Sequence, residues 1–204
     1  MPSDILPDQG LVLGFDTSAA HCAAALLSRD RIIAHHAVNM ARGQGEHLMG
    51  LLQDLLDSAG HNWRDLTALG VGVGPGNFTG IRISVAAARG LALSLRIPAI
   101  GVSSFEATAL TRATPFTISV AAPRNQLYTQ VFTAKGPQAP ELVDASEVDL
   151  TIPNLPCSSP VELADQIARI AAHRAGAPHP RPAPLYIKAA DAAPPRDPAP
   201  TLLA

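Results

Sequence analysis

An α/β fold of two unequal blocks is predicted by three observations. Short apolar runs of strand length alternate with helical patterns, and a glycine-rich turn joins a strand to a helix in the middle of the first block. Aromatic residues make up only 4% of a chain that is 47% hydrophobic, so the core must be built from aliphatic and small side chains. The first block covers 1–103, the second and smaller one 104–190, and a proline-rich tail 191–204. A chain of 204 residues can bury a sizeable core in one domain or two small ones.

In the first block, 11–15 is a strand ended by the turn-forming residues Asp16-Thr17-Ser18. Runs at 22–27 and 31–38 follow it across a Ser28-Arg29-Asp30 turn, which makes an antiparallel meander. From Gly45 the pattern becomes helical. Leu48, Leu51, Leu52, Leu55 and Leu56 recur at three- and four-residue spacing, and Gly60 stands as the stop. From Leu48 to Ala59, with Met49 included, the apolar side chains cover an arc of about 160°, wider than the stripe of about 100° that a surface helix needs, and the surplus predicts a second contact surface.

A strand at 68–73 feeds Gly74-Pro75-Gly76-Asn77-Phe78-Thr79-Gly80, and a helix over 81–95 leaves it. On that helix Arg82, Arg89 and Arg96 share one edge at seven-residue spacing, while the rest of its circumference is small or apolar. Gly80, Ser84, Ala87, Ala88 and Gly90 would admit another helix closely. Two covers fit such a surface: a second chain, or the protein's own fold. A strand at 98–102 completes the block, and Ser103 with Glu106 forms a capping pair for a helix to about Arg112. The second block has strands at 116–120, 126–132 and 141–143, then an amphipathic helix over 161–174 carrying Leu163, Ile167 and Ile170.

The charge and cysteine content exclude several functions. A net charge of −2 and a pI near 6.4 leave no basic surplus for holding nucleic acid unaided. Cys22 and Cys157 stand apart without metal-ligand spacing, which excludes a disulfide framework and a zinc site and suits a reducing cytoplasm. The acidic, proline-containing start is unlike a secretory signal, and no apolar run reaches the roughly 20 residues of a membrane span.

One anion site can be assembled. A glycine loop opening a helix aims backbone N–H groups at negative charge, so Gly74, Gly76, Thr79 and Gly80 are candidates, with Asp16 at a strand end as a carboxylate for a metal-bound phosphate. The loop lacks both the lysine of a Walker loop and the glycine spacing of a dinucleotide fingerprint. The competing reading makes it a structural turn and makes Asp16 a hairpin cap. His35-His36 and Glu46-His47 lack the spacing of metal ligands, and no serine or cysteine has an identifiable activating base. No catalytic residue and no metal ligand is assigned.

Four stretches taken together, Leu13-Gly14-Phe15-Asp16-Thr17-Ser18, Gly45-Glu46-His47-Leu48, Gly72 to Ser84 and Pro98 to Ser103, resemble the bacterial TsaB (YeaZ) family. The resemblance covers about 11–110, thins near Asn125-Gln126-Leu127-Tyr128 and returns at 184–188. It implies an actin-like fold of two ribonuclease-H-like subdomains, the second abbreviated here. It also implies an accessory role in forming threonylcarbamoyladenosine beside the anticodon of tRNA. The implied partners are TsaD, which transfers the group, and the ATPase TsaE. Dimerisation with TsaD would use helices of the first subdomain, homodimers form without it, and tRNA is met only through the complex.

On that reading the interface residues are Leu48, Leu51, Leu52, Leu55, Gly80, Arg82, Ser84, Ala87, Ala88 and Leu91. The chain has no cofactor of its own, and ATP or ADP belongs at the complex interface. Family members commonly carry an acid where this chain has Ala122-Pro123, and actin-class phosphotransfer needs carboxylates from both halves. The rival reading is a self-sufficient actin-like ATPase or phosphotransferase built on Asp16 and the 74–80 loop. Peptidase activity ranks last, since no nucleophile or metal pair supports it.

Overall fold

The structure, a computed structural model, describes residues 10–187. The tail expected over 191–204 and the chain's first residues lie outside that range. Strands β1 (Leu11–Asp16), β2 (His21–Ser28) and β3 (Arg31–Asn39) form the antiparallel meander that the alternating runs predict. Helix α1 (Gln44–Ser58) leads to β4 (Leu66–Gly72), which lies parallel to β1. Helix α2 (Phe78–Leu95) then leads to β5 (Ala99–Val102), parallel to β4. The strand order β3-β2-β1-β4-β5 is that of the ribonuclease-H-like unit of actin-like proteins.

Successive side chains on a strand face opposite ways, and here they sort two cores. Leu11, Leu13 and Phe15 of β1 join Leu48, Leu52, Leu55, Ile81, Val85 and Ala88 beneath α1 and α2, whereas Val12 faces the other layer. The broad leucine arc of α1 is consumed inside the chain. Leu48, Leu51, Leu52 and Leu55 are between 0 and 7% exposed, because β2, β3 and α2 surround the helix on several sides. The second contact surface inferred from the width of that arc is therefore absent at those residues.

The second sheet is small. After α3 (Ser104–Ala109), which ends short of Arg112, come β6 (Phe116–Ala122), β7 (Gln126–Thr133), β8 (Gly136–Pro137), β9 (Glu141–Asp144) and β10 (Asn154–Pro156). The order is β10-β6-β7-β8, and β9 also pairs with β7. Phe105, Phe116 and Ile118 form its buried centre. The capped helix α4 (Pro160–Arg174) follows, and its place differs from a division of the chain at 103/104. It packs across the free face of the first sheet, against β1, β2 and β4, with Leu163, Ile167, Ala168 and Ala171 buried there.

Glycines explain how α4 gets so close. Gly14 and Gly70 are register partners on β1 and β4, and together they leave a slot. A Cβ on Gly14 would stand 2.6 Å from the Ala168 nitrogen, and one on Gly70 would stand 2.7 Å from the Ile167 carbonyl oxygen. The chain then returns as a strap. Pro182 rests near Gly101, the Leu185 N–H donates to the Val73 carbonyl at 2.8 Å, Leu185 packs on the core beneath α1 and α2, and Ile187 packs on the Phe105, Phe116 and Ile118 centre of the second sheet.

Candidate functional site

Asp16 ends β1 and is 0% exposed, as is Thr17. Its Oδ2 accepts from the Ser18 N–H at 2.9 Å and the Ser18 hydroxyl at 2.8 Å, and His21 Nε2 lies 2.8 Å away. Among the described residues its Oδ1 has no hydrogen-bond partner, and it faces the Cα of Gly72, where any Cβ would collide with it. The carboxylate is thus engaged by its own hairpin and closed off from solvent. Sequence reasoning overlooked Ser18 and His21. The signal available was a serine two residues, and a histidine five residues, beyond a strand-end acid across a tight turn.

The glycine loop does meet Asp16's turn, but not as a cradle. Gly74 and Gly76 have φ of 95° and 156°. A side chain on Gly76 would strike the Ser18 carbonyl oxygen, and one on Gly80 would strike that of Thr17. The Asn77 N–H donates to the Ser18 carbonyl at 2.6 Å, and the Thr17 hydroxyl donates to the Gly80 carbonyl at 2.7 Å. Asn77 Oδ1 accepts the Gly80 N–H at 2.9 Å and so caps α2. The glycines exist so that the 16–18 turn can lie against the loop, and carbonyl oxygens occupy the approach that an anion would need. Of the anion candidates Asp16, Gly74, Gly76, Thr79 and Gly80, Thr79 lines an open cleft. That cleft, of about 420 Å³, lies between the starts of α1 and α2, with Arg42, Gln44, Glu46 and Asn77 also on its wall.

Cysteine chemistry is equally closed. Burial, and then the Asp16 carboxylate, push the Cys22 thiol up to about 11, and burial raises Cys157 as well. A thiol held protonated near neutral pH is a poor nucleophile.

What remains open is the outer side of α2, where only five of eighteen residues are buried. The proposed interface residues Gly80, Ser84 and Ala88 belong to the buried five, because that edge of the helix lies on its own sheet. Arg82 is exposed, and Ala87 and Leu91 are half-buried. The exposed face comprises Thr79, Ala86, Gly90 and Leu93, with Ile83 at its border, and Leu93 is 82% exposed. Met49 of α1 adds to the exposed apolar side chains at 43%. At the start of α2 the strap delivers Tyr186, stacked on Phe78 with ring centroids 5.1 Å apart. The Arg82 guanidinium sits 3.8 Å over the Phe78 ring, and its Nε donates to the Tyr186 hydroxyl at 3.0 Å. Phe78, Leu93 and Tyr186 were missed in the sequence because exposure cannot be read from residue type.

The sequence model of the TsaD family, tRNA N6-adenosine threonylcarbamoyltransferase, matches residues 33–176. The chain is 38% identical over 93 residues to the tRNA threonylcarbamoyladenosine biosynthesis protein TsaB of Escherichia coli, across 46% of this chain and 40% of that protein. It is 37% identical over 98 residues to TsaB of Bacillus subtilis, across 48% of this chain and 43% of that one. The matches thus span less than half the length of these curated relatives. YeaZ from Pseudomonas aeruginosa shares the fold, with a TM-score of 0.65 at 22% identity, covering 87% of this chain and 99% of the other. The match over residues 33–176, the shared motifs and the common fold lead to one assignment: the chain belongs to the threonylcarbamoyltransferase family, on its TsaB (YeaZ) side.

Proposed function

We propose that this chain is an accessory subunit, without catalytic groups of its own, for the formation of threonylcarbamoyladenosine next to the anticodon of tRNA. It works in the cytoplasm by seating a TsaD-type transferase subunit on the outer side of α2, with TsaE joining the same assembly. The observation that carries this reading is α2 itself, an apolar helix long enough to cross a membrane by length and composition, with only five of its eighteen residues buried. Its sheet-facing edge and the arginines on its outer edge favour a helix seat over a membrane span. The names of the relatives supply the reaction in which such a seat takes part.

The enzymatic alternative loses its main support in Asp16. A carboxylate that is 0% exposed and already engaged by Ser18 and His21 is not placed to reach metal-bound phosphate. Any nucleotide is held together with the partner, at the cleft between the starts of α1 and α2 where Thr79 lies. The experiment is a reconstitution with the TsaD-type and TsaE-type subunits of the same organism. The modified nucleoside in tRNA is quantified with and without the chain. Modification that depends on the chain, and fails with Ala86→Trp, is the expected result. Modification that proceeds equally without it would sink the proposal.

A further inference from the structure

The open face of α2 has an order that the fold itself does not require. Thr79, Ile83, Ala86, Gly90 and Leu93 follow one another at four, three, four and three residues, which is the spacing of the inner positions of a heptad repeat. None of the five is among the buried residues of the helix. Arg82, Arg89 and Arg96 each fall immediately before an inner position or at the equivalent place one heptad on. Arg82 and Arg89 therefore occupy the same flanking column of the helix, the one written g when the inner positions are a and d, and Arg96, the left-handed cap residue after Leu95, adds a charge just past its end. The opposite flanking column holds Gly80, Ala87 and Ser94, without charge.

No carboxylate balances these arginines among the described residues. The side chains of Arg89 and Arg96 make no hydrogen bond or ion pair among the described residues, and both residues are exposed. Arg82 is held by Phe78 and Tyr186, neither of them a carboxylate. No acidic residue lies between Phe78 and Arg96. The column therefore presents about one unbalanced positive charge per 10 Å of helix.

We infer that α2 recognises a partner helix of defined chemistry: small or aliphatic inner positions, and glutamate or aspartate repeating every seven residues along the edge that meets the arginine column. This rests on the proposed seating of a transferase subunit and specifies what that subunit must present. Charged flanking positions set partner choice and orientation in paired helices. A second copy of this chain, with which the family resemblance implies pairing when TsaD is absent, offers no such acidic complement. In an antiparallel pair the arginine columns oppose each other, and in a parallel pair each meets the uncharged Gly80-Ala87-Ser94 column. RNA is also the poorer fit, because a phosphate backbone leaves the Leu93 side chain, 82% exposed, uncovered, and the chain's net charge is −2.

The test measures binding of the full chain to the TsaD-type subunit of the same organism, at about 50 and about 500 mM NaCl. Arg89→Glu/Arg96→Glu should weaken binding at low salt by at least roughly tenfold and remove most of its salt dependence. Arg89→Gln/Arg96→Gln should weaken it less. Because the reversed column complements the original one, a mixture of the unaltered chain with the Arg89→Glu/Arg96→Glu variant should self-associate more strongly than either alone. Circular dichroism confirms that the exposed substitutions leave the fold intact. Affinity within about twofold in the double reversal, while Ala86→Trp abolishes binding, would overturn the inference and leave the seat standing. So would loss of tRNA binding alone, or a homodimer of the unaltered chain tighter than the mixed one. Failure of the unaltered chain to bind the subunit at all would remove both proposals, and would be recognised separately by its failure to support modification.

Discussion

Gly14 on β1 and Gly70 on β4 face each other in register, and the groove they leave brings the backbone of α4 to within 2.7 Å of where their Cβ atoms would stand. Gly70→Val should therefore force α4 off the sheet. The expected cost is about 3 kcal/mol or more, since overpacking here would press on backbone and not on a flexible side-chain end. Gly50→Ala, at an exposed site with nothing within 4 Å, serves as the control and should be neutral or slightly stabilising. Equal urea midpoints for the two variants would contradict the packing of α4.

Asp16→Ala should destabilise the fold by about 3 kcal/mol, because it strips two hydrogen bonds from Ser18 and leaves His21 buried without its partner. The same substitution should leave nucleotide affinity of the isolated chain unchanged. Calorimetric titration with ATP and magnesium separates the two effects. A large loss of ATP binding with normal stability would revive the phosphotransferase reading.

Leu52 and Leu93 illustrate how two leucines on neighbouring helices divide between folding and docking. Leu52 is 0% exposed, and its replacement by alanine should cost about 2 to 5 kcal/mol of stability. Leu93→Ala should change stability by less than about 0.5 kcal/mol yet weaken binding of the TsaD-type subunit. Thermal melts beside a binding titration make the comparison. Ala88→Trp, aimed at a residue that is 0% exposed, should behave as a folding variant.

The start of α4 is pinned by a reciprocal cap. Ser159 accepts the Glu162 N–H, and the Glu162 carboxylate accepts from the Ser159 N–H at 3.0 Å and hydroxyl at 2.9 Å. Those bonds hold the Glu162 carboxyl below its ordinary value of 4.5. A depressed carboxyl contributes its full stability above the unfolded value and loses it as pH falls through the folded one. Ser159→Ala should thus cost about 1 kcal/mol near neutral pH. The deficit relative to the unaltered chain should shrink in strong acid, as urea melts at the two pH values will show. A deficit that is constant with pH would mean that the bond from the Ser159 hydroxyl to the Glu162 carboxylate contributes nothing.

Much of this architecture is legible in the sequence. The β1 to β3 meander follows from three apolar runs and one turn, and α1 and α2 follow from their periodicities. Neighbours are what periodicity omits. The repeat of Leu163, Ile167 and Ile170 says that α4 buries one face, but the destination of that face is written in Gly14 and Gly70, far away in the chain. The leucine arc of α1 measures how much surface is apolar, not how many elements of the same chain surround it. The glycines at 76 and 80 announce a close approach without saying that Ser18 and Thr17 are what approaches. The seven-residue spacing of Arg82, Arg89 and Arg96, by contrast, is visible in the sequence, but not that Arg96 caps the end of α2 or that Arg82 meets Tyr186.

The slot filled by α4 also bears on how the chain is made. Residue 14 leaves the ribosome about 150 residues ahead of residue 168, which closes over it. The first sheet therefore remains an open, one-sided layer with Val12, Ala68 and Ile100 uncovered until α4 has been synthesised. Closing so long a loop late favours slow, all-or-none folding over stepwise maturation from the N-terminus. A fragment ending near residue 103, although it contains every strand of the first sheet, should be sticky and short-lived.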